Sequence, residues 1–311
     1  MEMQRKIMAR GDRDRLSDLP DPILLDILSL LPEGKAVVRT SVLSQRWRFI
    51  WKSVTVSLDF EFPRCSSRKE TLDRMASINR ELHHWRYCEK IRKIRVFFYV
   101  YCKHYVKDID LWVEFATKIA NVEDFALDIL GVTDIYEFPQ FAFKNTSFKN
   151  LVLSMLKVNP SGSVNWSSLI SLSIGDLNLT EDVMEKILSG CPNLECLKLD
   201  SVKGIRRLEI SSVKLRELII EDQYFHNHDF CFEILGPYIQ NLQILSFYST
   251  ICLQQRNVAS LLTAFLGLEF GQRNLKKECS YLKELLHSVA HVENLELSPW
   301  CIELFAEFVG S

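Results

Sequence analysis

Between Ile23 and Leu31 only Asp26 and Ser29 are polar, so a short segment near the N-terminus is apolar almost all the way round. Asp21 fits an N-cap and Pro22 the first helical position, where a missing N–H costs nothing. Such a helix needs burial on more than one side. The apolar cluster around it, about forty residues long, is too small to provide that alone, and a partner protein is the simplest cover for the spare face. A second helix is predicted behind Ser44 as N-cap, because Trp47, Ile50, Trp51 and Val54 fall at i, i+3, i+4 and i+7.

From about residue 90 a different pattern takes over. The spacing apolar-x-x-apolar-x-apolar occurs ten times, from Ile91/Ile94/Val96 through Leu169/Leu172/Ile174 and Leu194/Leu197/Leu199 to Leu242/Leu245/Phe247, Phe265/Leu268/Phe270 and Val292/Leu295/Leu297. The last two anchors of each copy sit two apart, as on one face of a half-buried strand. Successive third anchors lie 10 to 31 residues apart, in most cases room for one strand and a return helix. One such helix is signalled by Thr180 as N-cap, Glu181 and Asp182 in the first turn, apolar Val183, Met184, Ile187 and Leu188, and Gly190 as stop. Ile109–Ala120 and Glu278–Ala290 also read as amphipathic helices. The copies ending at Ile210 and Ile220 leave no room for a helix, which predicts bare turns in the outer wall and a local change of curvature. The fold class expected is α/β, an irregular leucine-rich-repeat solenoid with strands inside and helices outside. The competing reading is an ordinary α/β domain of alternating strands and helices.

The strings LSDLPDPILLDILSLLP (Leu16–Pro32) and VVRTSVLSQRWRFIWKSV (Val37–Val54) resemble the F-box of plant F-box proteins. The Leu-Pro pair, the Ile/Leu helix, the Val-Leu-Ser turn and the Arg-Trp-Arg-x-x-Trp helix occur in order. The turn Glu33-Gly34-Lys35-Ala36 is a residue longer than the commonest version. VNWSSLISLSIGDLNLTEDVMEKILSGCPNLECLKLDS (Val164–Ser201) resembles the repeat segment of plant F-box/LRR proteins, many of which carry a C-terminal FBD domain. The sequence stops shortly after Ser298-Pro299-Trp300, where such a domain would begin, so its absence is expected. The organisation implied is a charged tail over 1–14, a three-helix F-box over 15–60 and a repeat array over 61–311, clearest over 148–222. Docking onto a Skp-type adaptor, and through it a cullin-RING ligase, is implied for Leu19, Pro20, Ile23, Leu24, Ile27, Leu28, Leu31 and Pro32, as adaptor-facing or core-supporting residues. Val42, Leu43, Trp47, Ile50 and Trp51 are implied as the core of the F-box.

Composition narrows the compartment. Of 311 residues, 47% are hydrophobic and 25% charged, as in a folded chain. A formal net charge of −2 gives no bulk attraction to nucleic acid or anionic membrane. The Arg-rich first residues have no apolar core and are not a secretory signal; cytoplasm or nucleus is expected. The nine cysteines are scattered and form no C-x-x-C pair, so disulfides and zinc are not expected. Cys191 and Cys196 read as buried thiols. The sequons at Asn145, Asn165 and Asn178 are expected to stay unmodified.

Signals for chemistry are poor. There is no G-x-G-x-x-G after a strand, no phosphate-cradling loop and no G-x-S-x-G elbow. His287 and His291 lie at i, i+4, but Ser288 stands where a zinc protease needs its glutamate. His226-Asn227-His228-Asp229 lacks a third ligand at clear spacing. No metal, cofactor or catalytic residue is expected, and the chain reads as a target-recognition subunit of an SCF-type E3 ligase that works by positioning. Two other readings stay open: a repeat scaffold capped by its apolar N-terminus, and a small-molecule sensor using basic clusters such as Lys90/Arg92/Lys93/Arg95, Arg206/Arg207 and Lys276/Lys277. Between the last two anchors of each copy, one side chain should point into the concave wall. Those positions are Arg95, Ala126, Val152, Ser173 and Lys198, then Glu209, Ile219, Ser246, Glu269 and Glu296. With Glu217 and Glu221 beside Ile219, and Tyr248 nearby, an acidic target-binding patch is expected in the second half. Solvation of exposed strands is an equal explanation of these glutamates.

Overall fold

The computed structural model describes residues 16, 18–31, 34–62, 67–88, 90–101, 103–131, 134–222, 231–246, 250–253, 255–268 and 275–303. The chain opens with helices α1 (Asp21–Ser29), α2 (Gly34–Arg39) and α3 (Trp47–Ile50), each short. Pro20, extended at φ −58° and ψ 148°, is the N-cap of α1, so Asp21 already lies inside the helix rather than capping it. The regular part of α3 follows Arg46, which gives it no side-chain cap, and the Ser44 carbonyl accepts the Arg48 N–H at 3.2 Å, the bond of a turn that begins at Ser44.

A single ten-stranded parallel sheet follows, in the order β1 (Val56–Phe62), β2 (Ile91–Tyr101), β3 (Asp124–Gly131), β4 (Asn150–Ser154), β5 (Ser171–Gly175), β6 (Cys196–Asp200), β8 (Glu217–Asp222), β10 (Asn241–Ser246), β12 (Thr263–Leu268) and β13 (Asn294–Leu297). All nine strand pairs are parallel, and each strand follows its neighbour in the chain except where one of three further short strands, described below, intervenes. Only a return segment behind the sheet can connect parallel neighbours in this way, which is the strand-and-return repeat of a solenoid. The sheet starts earlier than the repeat pattern shows. β1 alternates buried Val56, Leu58, Phe60 and Phe62 with exposed partners, and α4 (Arg68–Trp85) returns the chain to β2.

The return layer contains α4, α5 (Val106–Glu114, continued by a π-turn over Phe115–Ile119), α6 (Glu181–Ser189) and α7 (Leu275–Ser288). The Thr180 hydroxyl accepts the Val183 N–H, as a cap should. Gly190 keeps helical dihedrals, φ −83°, so it does not end α6 by turning left-handed. It is there because a Cβ would come within 2.6 Å of the Val164 side chain and 2.7 Å of its carbonyl.

The bare turns expected beside Ile210 and Ile220 are a second sheet. Strands β7 (Arg207–Glu209), β9 (Cys231–Leu235) and β11 (Thr250–Cys252) pair in parallel in the order β11-β9-β7. They lie in successive return segments, touching α6 on one side and α7 on the other. A strand needs far fewer residues than a helix to cross one layer, which is how short repeats stay covered. Ile205, Leu208 and Ile210 are therefore buried in the return layer, not on the main sheet.

One core runs the length of the chain. Phe62 and Phe98 pack on Trp112, Phe125 stacks on Phe148 at 5.6 Å, and Phe143 stacks on Trp166 at 5.6 Å. The N-terminal helices join this core. The Trp51 ring meets Trp85 of α4 edge-on at 5.8 Å, and the Cys88 thiol lies 3.4 Å from the Lys52 carbonyl.

Candidate functional site

Two surfaces stand out, one at each functional end of the molecule. The first is on the N-terminal helices. Leu24 and Leu28 have no exposure at all, and Val37, Trp47, Ile50, Trp51 and Val54 are buried with them; the Trp51 indole N–H donates to the Arg48 carbonyl at 2.9 Å. Leu24 and Leu28 thus support the module from inside and are not adaptor-facing. Val42 and Leu43, expected in the core, stand in solvent at 85% and 57% exposure. They occupy the 3-10 turn Thr40–Val42 and its C-cap, where the tight turn aims them away from the helices. Leu30 at 82%, Phe49 at 61% and Ile23 at 44% are exposed as well, while Leu19, Ile27 and Leu31 are half-buried and Pro20 is exposed. Arg46 donates through Nε to Asp21 at 2.9 Å and pairs with it through a second nitrogen, tying the start of α1 to the start of α3. Pro32 lies outside the described residues.

The second surface is the outward face of the ten-stranded sheet, where register fixes the rows. The middle row runs from Asp59 through Arg95, Val152, Lys198 and Ile219 to Gln243, Phe265 and Glu296. Ser246 is not in it. Leu242, Ile244 and Ser246 form the buried face of β10, with Ser246 2% exposed, and Leu242 to Ser246 hold two overlapping apolar phases of which the structure takes the other one. Gln243 takes the place expected for Ser246, and Phe265 that of Glu269; Glu269 and Tyr248 lie outside the described residues. Glu209 is on β7 in the return layer beside Arg207, and so does not join Glu217. Glu217, Ile219 and Glu221 do share the open face of β8, while exposed Glu296 stands on the edge strand β13, separated from β8 by β10 and β12.

The cations of this face are mostly matched. Arg95 holds Asp59 with two nitrogens at 2.6–3.0 Å, which raises its pKa. Arg92 lies 3.5 Å from Asp124, and Lys198 2.7 Å from Glu221. In the return layer Arg207 lies 3.8 Å from Glu233. Such pairs leave little free positive charge for an anionic ligand.

A row nearer the carboxyl ends of the strands was not legible as a site. It carries Glu61, Phe97, Asp128, Asp200, Glu221 and Leu245, and no lysine or arginine among the described residues. Just beyond it, left-handed Met155, Asp176 and Ser201 (φ 56°, 48° and 51°) end β4, β5 and β6. Their N–H groups donate to Gly175, Asp200 and Glu221 carbonyls at 2.7–3.0 Å, a ladder that holds successive repeats at this rim. The Asp128 carboxyl is pushed up by burial and then by the charge of Asp176, with the Ser154 hydroxyl opposing. Asp176 is pushed up by burial and by Asp200, with Lys203 opposing. Aspartate directly after a repeating strand was the signal available in the sequence.

The remaining candidates are cysteines and histidines. The Cys191 thiol is pushed up to about 12 by burial and Cys196 to about 11 by burial and Glu217, so neither is a nucleophile. His291 Nε2 lies 3.1 Å from the Val258 carbonyl, while His287 is exposed. No group of three metal-ligating side chains occurs among the described residues. His226, His228 and Asp229 lie outside them, as do the side chains of Lys276 and Lys277. No helix among the described residues is long and apolar enough to cross a membrane.

Comparison with known proteins matches both surfaces. Residues 16–58 fit the F-box domain family, and residues 109–265 fit the family described as FBD-associated F-box protein At5g56370, LRR repeats. F-box/LRR-repeat protein 25 of Arabidopsis thaliana is 34% identical over 242 residues, covering 76% of this chain and 88% of the relative. F-box/LRR-repeat protein At3g03360 is 37% identical over 209 residues, 64% of this chain and 40% of the relative. F-box protein At5g03100 is 33% identical over 267 residues, 84% and 78%. Both come from the same plant, and the chain thus spans less than half of one relative and most of the other two.

Proposed function

Because the chain belongs to the F-box/LRR-repeat family, we propose that it is a non-catalytic target-recognition subunit of an SCF-type ubiquitin ligase. The N-terminal module docks a Skp-type adaptor and the concave sheet face receives the target. The observation that carries this reading is the set of large apolar side chains left in solvent on a module matching the F-box: Ile23, Leu30, Val42, Leu43 and Phe49. Covering such a side chain fully stabilises a complex by roughly 1.5–3 kcal/mol. Several together are comparable to the roughly 4–15 kcal/mol that association costs in lost freedom. Half-buried Leu19, Ile27 and Leu31 and exposed Pro20 complete the docking face. The chain contributes geometry: it holds a target at a fixed distance and orientation from the ligase. The reading places it in the cytoplasm or nucleus.

The test separates the docking face from the core. Coexpressed with a Skp-type adaptor, the Val42→Asp, Leu43→Asp double variant loses co-purification while its melting temperature stays that of the parent. Leu24→Asp loses both, because it puts a charge in the core. Retained adaptor capture by the folded double variant sinks the docking assignment.

A further inference from the structure

The proposed function leaves the target unspecified, and the chemistry of the sheet face narrows it. Along the carboxyl-end row the carboxylates lie on β1, β3, β6 and β8 as Glu61, Asp128, Asp200 and Glu221. Two of them have cations at hand: Glu221 is paired with Lys198, and Glu61 lies in the field of Arg95. Asp128, Asp200 and the adjoining Asp176 are left crowded between them. One carboxylate oxygen of Asp128 is buried with no hydrogen-bond partner, and the Asp200 carboxylate accepts the Ser201 hydroxyl at 3.1 Å. Burial and the neighbouring Asp176 disfavour the charge on Asp128, and an added cation relieves it.

The setting is more than acidic. Phe97 is the Cα partner of Asp128 on the neighbouring strand, and its ring meets Tyr99 at 4.2 Å with planes 83° apart. Both rings are half-buried on the same open face. Between Asp128 and Asp200 the floor drops, because the row passes through Ser154 and Gly175. An aromatic wall, a low floor and a line of carboxylates match an ammonium or guanidinium group on a flexible stem.

We propose that this rim of the concave face binds an extended basic segment of the target, with one lysine or arginine inserted between Phe97 and Asp128 and a second reaching Asp200. The proposal rests on the target-recognition reading given above and specifies its substrate class. Strands about 4.8 Å apart put Glu61 and Asp128 about 10 Å from one another, and Asp128 and Asp200 about 14 Å. A segment crossing the strands advances about 3.3 Å per residue, so its cationic residues should recur at intervals of about three and four. Val152 and Ile219 in the adjacent row offer apolar contact to the residues between.

The experiment uses the full chain in complex with a Skp-type adaptor and two fluorescent twelve-residue probes. One carries lysines at positions 2, 5 and 9 with leucine and glycine between; the other has glutamates in their place. The lysine probe should bind and the glutamate probe should not, and Asp128→Asn and Asp200→Asn should each weaken the lysine probe about tenfold, the loss of one charge-assisted hydrogen bond. A fold defect would be betrayed by a lower melting temperature, whereas Asp128→Asn relieves crowding and should raise it. Equal binding of the two probes, no binding of either, or unchanged affinity in both variants overturns the proposal. Adaptor capture is read separately, by co-purification, and the probes are also titrated onto the full chain alone. Failure to capture the adaptor with probe binding intact refutes the ligase reading and leaves the basic-segment site standing, and the reverse outcome does the opposite.

Discussion

Trp51 shows how one side chain can serve two neighbours. Its indole N–H is satisfied by the Arg48 carbonyl, its ring edge meets Trp85, and it is 9% exposed. Replacing it by Ala should cost about 3–5 kcal/mol, readable as a lower urea midpoint by far-UV circular dichroism. Trp47 at 3% exposure should cost as much. Asp128 behaves in the opposite sense. Its carboxyl titrates above the ordinary 3.8 because burial and Asp176 disfavour the charge. Where the pH lies between the unfolded and the raised folded pKa, the folded chain holds more protons than the unfolded one, so stability falls as pH rises through that window. Below it both forms are protonated and the cost vanishes. Asp128→Asn should therefore melt higher than the parent near about pH 7, with the gap closing below about pH 4; thermal melts at matched ionic strength check this.

Among the elements, α6 was readable in full because cap, first-turn acids and apolar spacing all agree with each other. Thr180→Ala should cost about 1 kcal/mol, and Gly190→Ala should cost more, because its Cβ meets a backbone carbonyl rather than a side chain that can move. Chemical denaturation of the two variants gives the order. Other elements were hidden for identifiable reasons. β1 has a plain two-residue alternation but lacks the third anchor of the repeat. The sequence around β10 offers two apolar phases, Leu242/Ile244 and Leu245/Phe247, and only packing against Leu218 and Ala264 in the register neighbours turns Leu242 and Ile244 inward. The copy at Leu208 and Ile210 reads as a strand, but its place in a second sheet of the return layer does not, since β7 and β11 have only three residues each, too few for a periodicity that would mark them as a layer of their own. The exposed apolar surface of the N-terminal helices was half legible: an all-round apolar α1 demands extra cover, but which of its leucines face inward depends on where Trp47 and Trp51 lie.

At the scale of the molecule, the described residues share one apolar core from Leu24 to Cys301. Repeat arrays are stabilised mainly through neighbour contacts and need closed ends. β1 is an edge of the main sheet, and α2 packs against it while Trp51 covers the first return helix. Urea unfolding followed by tryptophan fluorescence and by circular dichroism should therefore give coincident transitions. Two separated transitions would show that the helices and the array fold as independent units.

The contact between Trp51 and Trp85 also bears on what a cell would hold when synthesis or proteolysis goes wrong. A fragment lacking the first fifty-five residues would carry an open strand edge and a bare tryptophan, marks that chaperones and proteases recognise. On the proposed function, such a fragment would hold a target without delivering it, and its exposed edge would favour its clearance. The packing that closes the solenoid would then couple the persistence of the sheet to the presence of the N-terminal helices.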